Sequence, residues 1–223
     1  MDRTRLFCIQ LKQGGDMLNL DLHTLVLFLA RWVHFIAGIT WIGMLYFFNF
    51  VNVHFAKLLD AETKKKVVPE LMPRALFWFR WGAMFTFLSG LLIIYWKLWV
   101  ATSAGLWGDG GLFTTSWGLW ITFGGLLGTI MWFNVWFIIW PAQRKIIGWV
   151  KAGQNPPEMA GIVKRAANTS KLNTFLSIPM LFGMGAASHF PITSHWIFLA
   201  VLLVGFLIAH LTIKCSGKVS TKV

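Results

Sequence analysis

The sequence predicts an all-α polytopic membrane protein, a helix bundle with about five transmembrane helices. Its composition is 57% hydrophobic and only 13% charged, and its mean hydropathy is +0.64, which is too apolar for a soluble domain. Five apolar runs each provide the roughly 20 helical residues that cross a hydrocarbon layer of about 30 Å. These runs cover about residues 24–55, 75–100, 117–140, 169–189 and 195–213.

The segments around these spans divide the chain into three parts. Residues 1–21 are expected to form a polar or amphipathic tail, residues 22–213 the transmembrane domain, and residues 214–223 a basic tail. No cleavable signal peptide is expected, because the first apolar run is too long and lacks a small-residue cleavage site. That run exceeds one crossing, which predicts a tilted or extended helix. Pro141 and the Asn155-Pro156-Pro157 sequence are expected to interrupt the third connection.

The charges between the spans predict the orientation. Lysines and arginines occupy the first and third connections and the C-terminal tail, whereas the second and fourth connections carry none. This alternation predicts a periplasmic N-terminus and a cytoplasmic C-terminus. The formal charge of +12 therefore indicates topology and contact with anionic membrane lipids, and we expect no nucleic-acid partner.

A histidine inside the first apolar run is the strongest functional signal. His34, Gly38 and Trp41 are spaced i, i+4 and i+7, so they share one helix face. An imidazole in hydrocarbon normally faces a protein interior or a cofactor, and Gly38 leaves room for a flat group or another helix. Arg31 could bind a carboxylate such as a haem propionate, with Trp32 and Trp41 in the pocket wall. A hydrogen-bonded histidine in a packing seam is the alternative, and both stay open here.

Two further histidines are candidate partners of His34. His189 ends the fourth run, at a depth that suits one axial pair of metal ligands for a b-type haem. His210 lies about 20 Å below the outer end of the fifth run at a rise of ~1.5 Å per residue, which makes it the second choice. The sequence contains no Cys-x-x-Cys-His, so no covalent c-type haem is expected. Cys8 and Cys215 fall on opposite sides of the predicted membrane, so we expect no disulfide between them.

Other polar residues within the runs predict packing more than chemistry. Asn134 lies in the middle of the third run, where we expect it to bond a neighbouring helix. Asn173 and the polar residues before it are expected to open the fourth helix. No carboxylate occurs in the apolar runs, which argues against a proton pump or cation-coupled transporter. The phosphate-loop, nucleophile-elbow and zinc-protease motifs of soluble enzymes are absent from the sequence.

Four ordered strings carry a family resemblance. They are Arg31 to Gly43, Phe79 to Gly90, Asn134 to Lys145, and Asn173 to Pro191. Together the strings resemble the membrane-embedded N-terminal domain of the bacterial cytochrome-c-linked urate oxidases (PuuD type), here without the cytochrome c domain. The first string is also similar to the opening helix of copper-resistance membrane proteins and HemJ-type protoporphyrinogen oxidases. The resemblance implies the membrane scaffold and the two motif histidines. An acidic residue of the family pattern would fall at Gly82.

These observations lead to one expected function and two alternatives. We expect a b-type haem electron-transfer subunit of the bacterial inner membrane, an oxidoreductase component partnered by other membrane subunits. It would pass electrons between quinol or a substrate enzyme and a periplasmic cytochrome c. The alternatives are a non-redox structural subunit of a larger membrane complex and a membrane-bound urate-type oxidase.

Overall fold

The computed structural model describes residues 9–13, 16–192 and 194–219, and their side chains over 21–192, 194 and 196–219. Apart from one short β-hairpin, the described elements are helical. In the hairpin, strand β1 (Ile9–Gln13) pairs antiparallel with strand β2 (Asp16–Leu20). The expectation that Cys8 and Cys215 form no disulfide stays a prediction, because Cys8 lies outside the described residues.

Seven α-helices follow, and three of them continue directly into π-helical segments at Phe47–Asn52, Trp96–Ala101 and Asn134–Ile139. The α-helices are α1 (Leu22–Tyr46), α2 (Val53–Leu58), α3 (Ala61–Tyr95), α4 (Ser116–Phe133), α5 (Trp140–Ala152), α6 (Met159–His189) and α7 (His195–Ser216). With the π-helical segments included, α1–α2 and α4–α5 each form one long rod.

Polar caps define where the rods begin. The side chains of Asp21, Asp60, Thr115 and Ser194 each accept a hydrogen bond from a backbone N–H of the following first turn. At the start of α3, the Thr63 hydroxyl and backbone N–H both donate to the Asp60 carboxylate, at 2.7 and 2.9 Å. These hydrogen bonds hold the pKa of Asp60 below its usual value.

Four described helices are long and apolar enough to cross a membrane. They are Leu22–Leu58, Ala61–Ala101, Ser116–Ala152 and Trp196–Ser216. The remaining predicted span lies in α6, where Asn173, Thr174 and Ser177 interrupt the apolar sequence. These three side chains are fully buried, so the polar residues of this part of α6 face its neighbours in the bundle. The count of five crossings remains a prediction.

Several predicted boundaries were wrong. Helix α3 begins at Ala61, well before residue 75, and contains Pro69 and Pro73. Pro141 does not end a helix, because it lies within the continuous rod Ser116–Ala152, directly after the π-helical segment Asn134–Ile139. Asn173 does not open a helix either, since α6 starts at Met159.

The helices pack as two pairs, α1 against α3 and α4 against α6, with α7 lying on α6. The first pair is closest at Gly82, where a methyl group would lie 3.0 Å from the Trp41 nitrogen and 3.2 Å from the Ala37 oxygen. An acidic side chain, expected there from the family pattern, has no room. A common core joins the two pairs through buried side chains that include Trp41, Leu45, Phe79, Met131, Val135 and Met180.

One buried amide pair ties α4 to α6. Asn134 Nδ2 donates to Asn173 Oδ1 at 2.8 Å, and Asn173 Nδ2 donates to the Met131 carbonyl at 3.0 Å. The prediction that Asn134 bonds a neighbouring helix is therefore confirmed.

Candidate functional site: a histidine-lined cavity between the helix pairs

A cavity of about 540 Å³ separates the two helix pairs at one end of the bundle. It lies opposite the basic end, the end formed by the α2–α3 connection, the α5–α6 connection and the residues after α7. Its volume falls within the ~300–1,000 Å³ of typical small-molecule sites. The apolar walls come from all four helices and include Phe35, Phe87, Leu91, Ile94, Ile121 and Leu181.

His34 lines this cavity with one ring nitrogen already engaged. Its Nδ1 lies 3.2 Å from the hydroxyl of Ser89 on α3. That hydroxyl is 2.6 Å from the Phe85 carbonyl and 3.1 Å from the Thr86 carbonyl, so its single proton is directed to the backbone. Ser89 must then accept from His34, which puts the imidazole proton on Nδ1 and a lone pair on Nε2. Metal-binding histidines show this arrangement.

His189 lines the same cavity from the end of α6, where its side chain is exposed. Two hydrogen bonds fix the chain that follows it. Trp120 Nε1 donates to the Phe190 carbonyl at 2.7 Å, and the Ile192 backbone N–H donates to the Ser116 hydroxyl at 2.6 Å. His189 lies at the open end of the cavity, which we call its mouth, and the residues that follow it are held against α4.

Two cations lie near the mouth. Arg31 lines the cavity, and Lys97 Nζ is 3.5 Å from the ring centroid of Trp117, another lining residue. The ion pairs of the described part of the chain join Lys66 to Glu62 and Arg74 to Glu70 on α3, so neither mouth cation has an acidic partner there. Such a pair of charges favours an anionic group.

Two buried polar atoms of the lining residues have no hydrogen-bond partner within the described structure. They are Trp41 Nε1 and Thr122 Oγ1. Buried polar groups are normally paired, so these two atoms are unsatisfied positions behind the cavity wall. Trp41 also marks the floor of the cavity, where the common core begins.

The remaining predicted site residues lie elsewhere. Gly38 faces Thr86, whose methyl carbon would be 3.9 Å from an added Cβ, so it serves the α1–α3 contact. Trp32 is 57% exposed and is not in the cavity lining, contrary to expectation. His210 lines a different cavity near the basic end. The structure thus brings His34, His189, Arg31 and Trp41 together and separates His210 from them.

The donor set fits haem better than a bare metal ion. The described residues contain no group of three or more histidine, cysteine or acidic side chains that could hold a metal ion. A haem iron needs only axial ligands from the protein, because the porphyrin supplies the others. Two histidines, apolar walls and two mouth cations suit such a group.

Sequence reasoning missed Ser89, Lys97 and Thr122 as parts of this site. The second apolar run includes Lys97, and its length drew attention away from this residue. A lysine among Tyr95, Trp96 and Trp99 is nevertheless typical of the end of a membrane span. Ser89 and Thr122 carry no recognisable signal, since hydroxyl side chains in membrane helices commonly bond their own backbone.

Comparison with known families places the chain. Residues 98–220, just over half of it, match the family model described as Urate oxidase N-terminal. The chain belongs to the urate oxidase N-terminal family. In this family member, the matched region contains His189, His210 and α4 to α7, whereas Arg31 and His34 precede it. No match was found among curated proteins or solved structures.

Proposed function

We propose that this member of the urate oxidase N-terminal family is a b-type haem electron-transfer subunit of the bacterial inner membrane. The observation that carries the proposal is the shared cavity of His34 and His189, in which Ser89 orients the first imidazole. Five crossings, with the N-terminus periplasmic and the C-terminus cytoplasmic, would place this cavity near the periplasmic surface. Quinol or a substrate enzyme would be the electron donor, and a periplasmic cytochrome c the acceptor.

Each residue of the site has a distinct task in this proposal. Bound haem b would supply a one-electron redox centre. His34 and His189 would hold the haem iron through an imidazole nitrogen each, and Ser89 would keep the His34 lone pair on Nε2. Arg31 and Lys97 would neutralise the two propionates. The apolar walls would exclude water, and burial of this kind tunes a haem potential.

A membrane-bound oxidase of urate or a similar small molecule is the second candidate. The family match favours it. The third candidate is a non-redox structural subunit. In that case the cavity would be filled by a neighbouring subunit or by lipid.

A visible spectrum tests the first proposal. Protein purified in mild detergent is expected to give a b-type dithionite-reduced minus oxidised spectrum and about one haem in a pyridine haemochrome assay. His34→Ala and His189→Ala should abolish the signal. His210→Ala, which removes a histidine at the other end, is the matched control and should keep it. A well-folded preparation without haem would contradict the proposal and favour the structural subunit.

The oxidase candidate predicts a different result with the same sample. Anaerobic addition of urate to the oxidised protein would reduce the bound cofactor without dithionite. A spectrum unchanged by urate, but reduced by a quinol analogue, would favour electron transfer alone.

A further inference from the structure

A second cleft opens between α6 and α7 at the basic end of the bundle. It encloses about 610 Å³. From α6 it is lined by Asn168, Lys171, Leu172 and Phe175, and from α7 by His210, Ile213 and Lys214. Their spacing puts each set on one face of its helix.

The cleft is polar at one end and apolar at the other. Phe175 stacks on Phe206 with ring centroids 5.3 Å apart, and this aromatic contact lies at the apolar end of the cleft. Lys171, Lys214 and His210 lie on the other side of this stack, toward the basic end. The cleft thus offers cationic groups beside an apolar wall.

The two lysines have no acidic partner in the described structure, whose ion pairs both lie on α3. Lys214 occupies the last turn of α7, a helix long and apolar enough to cross a membrane. A lysine at this position lies at the level of lipid headgroups. Leu203 and Leu207 continue the cleft face of α7 and are 71% and 57% exposed.

From this arrangement we propose that the α6–α7 cleft binds an acidic phospholipid. Lys171, Lys214 and Asn168 would hold its phosphate, and its acyl chains would lie along Leu207 and Leu203. Basic pockets between transmembrane helices recognise anionic headgroups in this way. The site is independent of the haem cavity at the opposite end.

Native mass spectrometry of delipidated protein tests the site, with dioleoyl-phosphatidylglycerol and dioleoyl-phosphatidylcholine as probes. The wild type should retain phosphatidylglycerol in preference to phosphatidylcholine. Lys171→Gln with Lys214→Gln should weaken its binding about 25-fold, at about fivefold per lysine. Lys145→Gln with Lys151→Gln removes the same charge from α5 and should leave binding unchanged. The single variants should each lose about fivefold, which keeps the test open if the double variant unfolds.

Three outcomes would overturn the proposal. Equal weakening in both double variants would show a general charge effect. Equal retention of the two lipids would show no headgroup recognition. A thermal shift with inorganic phosphate alone that matches the shift with the lipid would assign the cleft to a free anion.

Discussion

At the scale of single residues, the Ser89 hydroxyl decides which nitrogen of His34 can bind a metal. The sequence places a titratable ring on the helix face, but it does not specify the tautomer. The contact of α1 with α3 supplies an acceptor for Nδ1, because Ser89 has committed its proton to a backbone carbonyl. The Ser89 hydroxyl, which the sequence does not mark as functional, thereby becomes part of the proposed site.

Replacing Ser89 should change the haem without removing its ligands. Ser89→Ala is expected to weaken haem binding about 10–100-fold, the usual cost of losing an outer-shell hydrogen bond. The midpoint potential should rise, because a less basic imidazole stabilises ferric iron less. Ser89→Thr retains the hydroxyl and should restore both values. Redox titration and haem occupancy measure the effects, and wild-type values in Ser89→Ala would assign Ser89 to packing alone.

Removing either cation at the cavity mouth should shift the midpoint potential in the opposite direction. Arg31→Gln and Lys97→Gln should each lower the midpoint potential, because a nearby positive charge favours the more negative, reduced haem. Lys57→Gln removes the same charge from an exposed site at the basic end and should leave the potential unchanged. The comparison is a potentiometric titration at fixed ionic strength. A shift shared by all three variants would mean that net charge alone is responsible.

At the scale of elements, buried polar and small residues specify how neighbouring helices meet. Three interhelical features do this here: the Asn134–Asn173 amide pair, the Tyr46–Ser177 hydroxyl contact of 3.0 Å and the close approach at Gly82. Apolar contacts alone specify a register weakly between helices in a membrane. These features therefore stabilise one arrangement of the two helix pairs.

The amide pair should be costly to break from one side only. Asn173→Ala leaves Asn134 Nδ2 without its acceptor in the interior, which should destabilise the fold by about 1–3 kcal/mol. Asn134→Leu combined with Asn173→Leu should be less than additive, because no buried donor of the pair remains. Asn168→Ala, at an exposed position, is the control. Denaturation in mixed micelles gives the free energies, and strictly additive effects would show that the two amides are not coupled.

Gly82 should tolerate almost no side chain. A methyl group there meets backbone atoms of α1 at 3.0 and 3.2 Å, so Gly82→Ala should cost about 1–3 kcal/mol through overpacking. Gly43 lies on α1, the helix that contacts Gly82. Gly43→Ala adds a methyl group where no atom lies within 4 Å, so this substitution should be neutral or stabilising. Melting temperatures in detergent decide between them. Equal melting temperatures for the two variants would show that α1 and α3 can separate freely.

At the scale of the whole molecule, charge and helix polarity divide the bundle into two ends. The lysines and arginines of α2 and α5, of the first half of α3 and α6, and of the end of α7 lie at the basic end, and the two mouth cations flank the opposite end. The helix pairs share a core near the basic end and part around the histidine cavity. The bundle therefore carries its proposed redox site at one surface and its proposed lipid site at the other.

The orientation can be measured with introduced cysteines. In a background with both native cysteines replaced by serine, Asp109→Cys should react with a membrane-impermeant maleimide from the periplasmic side. Gln154→Cys, in the α5–α6 connection, should react only after the cells are opened. A cysteine placed at Pro191 should behave like the one at position 109 if α6 crosses the membrane. Protection of that cysteine in intact cells would reduce the crossings to four.

Much of the helical framework could be predicted because it depends on local hydropathy. Each predicted span coincides with a helix of the structure, and Asn134 was assigned correctly to a helix contact. The errors fall at Pro141, Pro69 and Asn173, where the helix continues through polar or proline-containing sequence. Their helical state depends on neighbouring helices that cover or accommodate them, and a single sequence does not show those neighbours.

The sequence by itself determined an apolar all-α chain, the placement of its basic residues and the presence of His34 within an apolar helix. Composition and the residue spacing along one helix are sufficient for those conclusions. The tertiary structure alone decided that His189 rather than His210 shares a cavity with His34, and that Ser89 orients the ring. It also decided that Lys97 lies over Trp117, which lines the same cavity as Arg31. These relations join residues far apart in the chain, and they arise only when the two helix pairs pack at one end and part at the other.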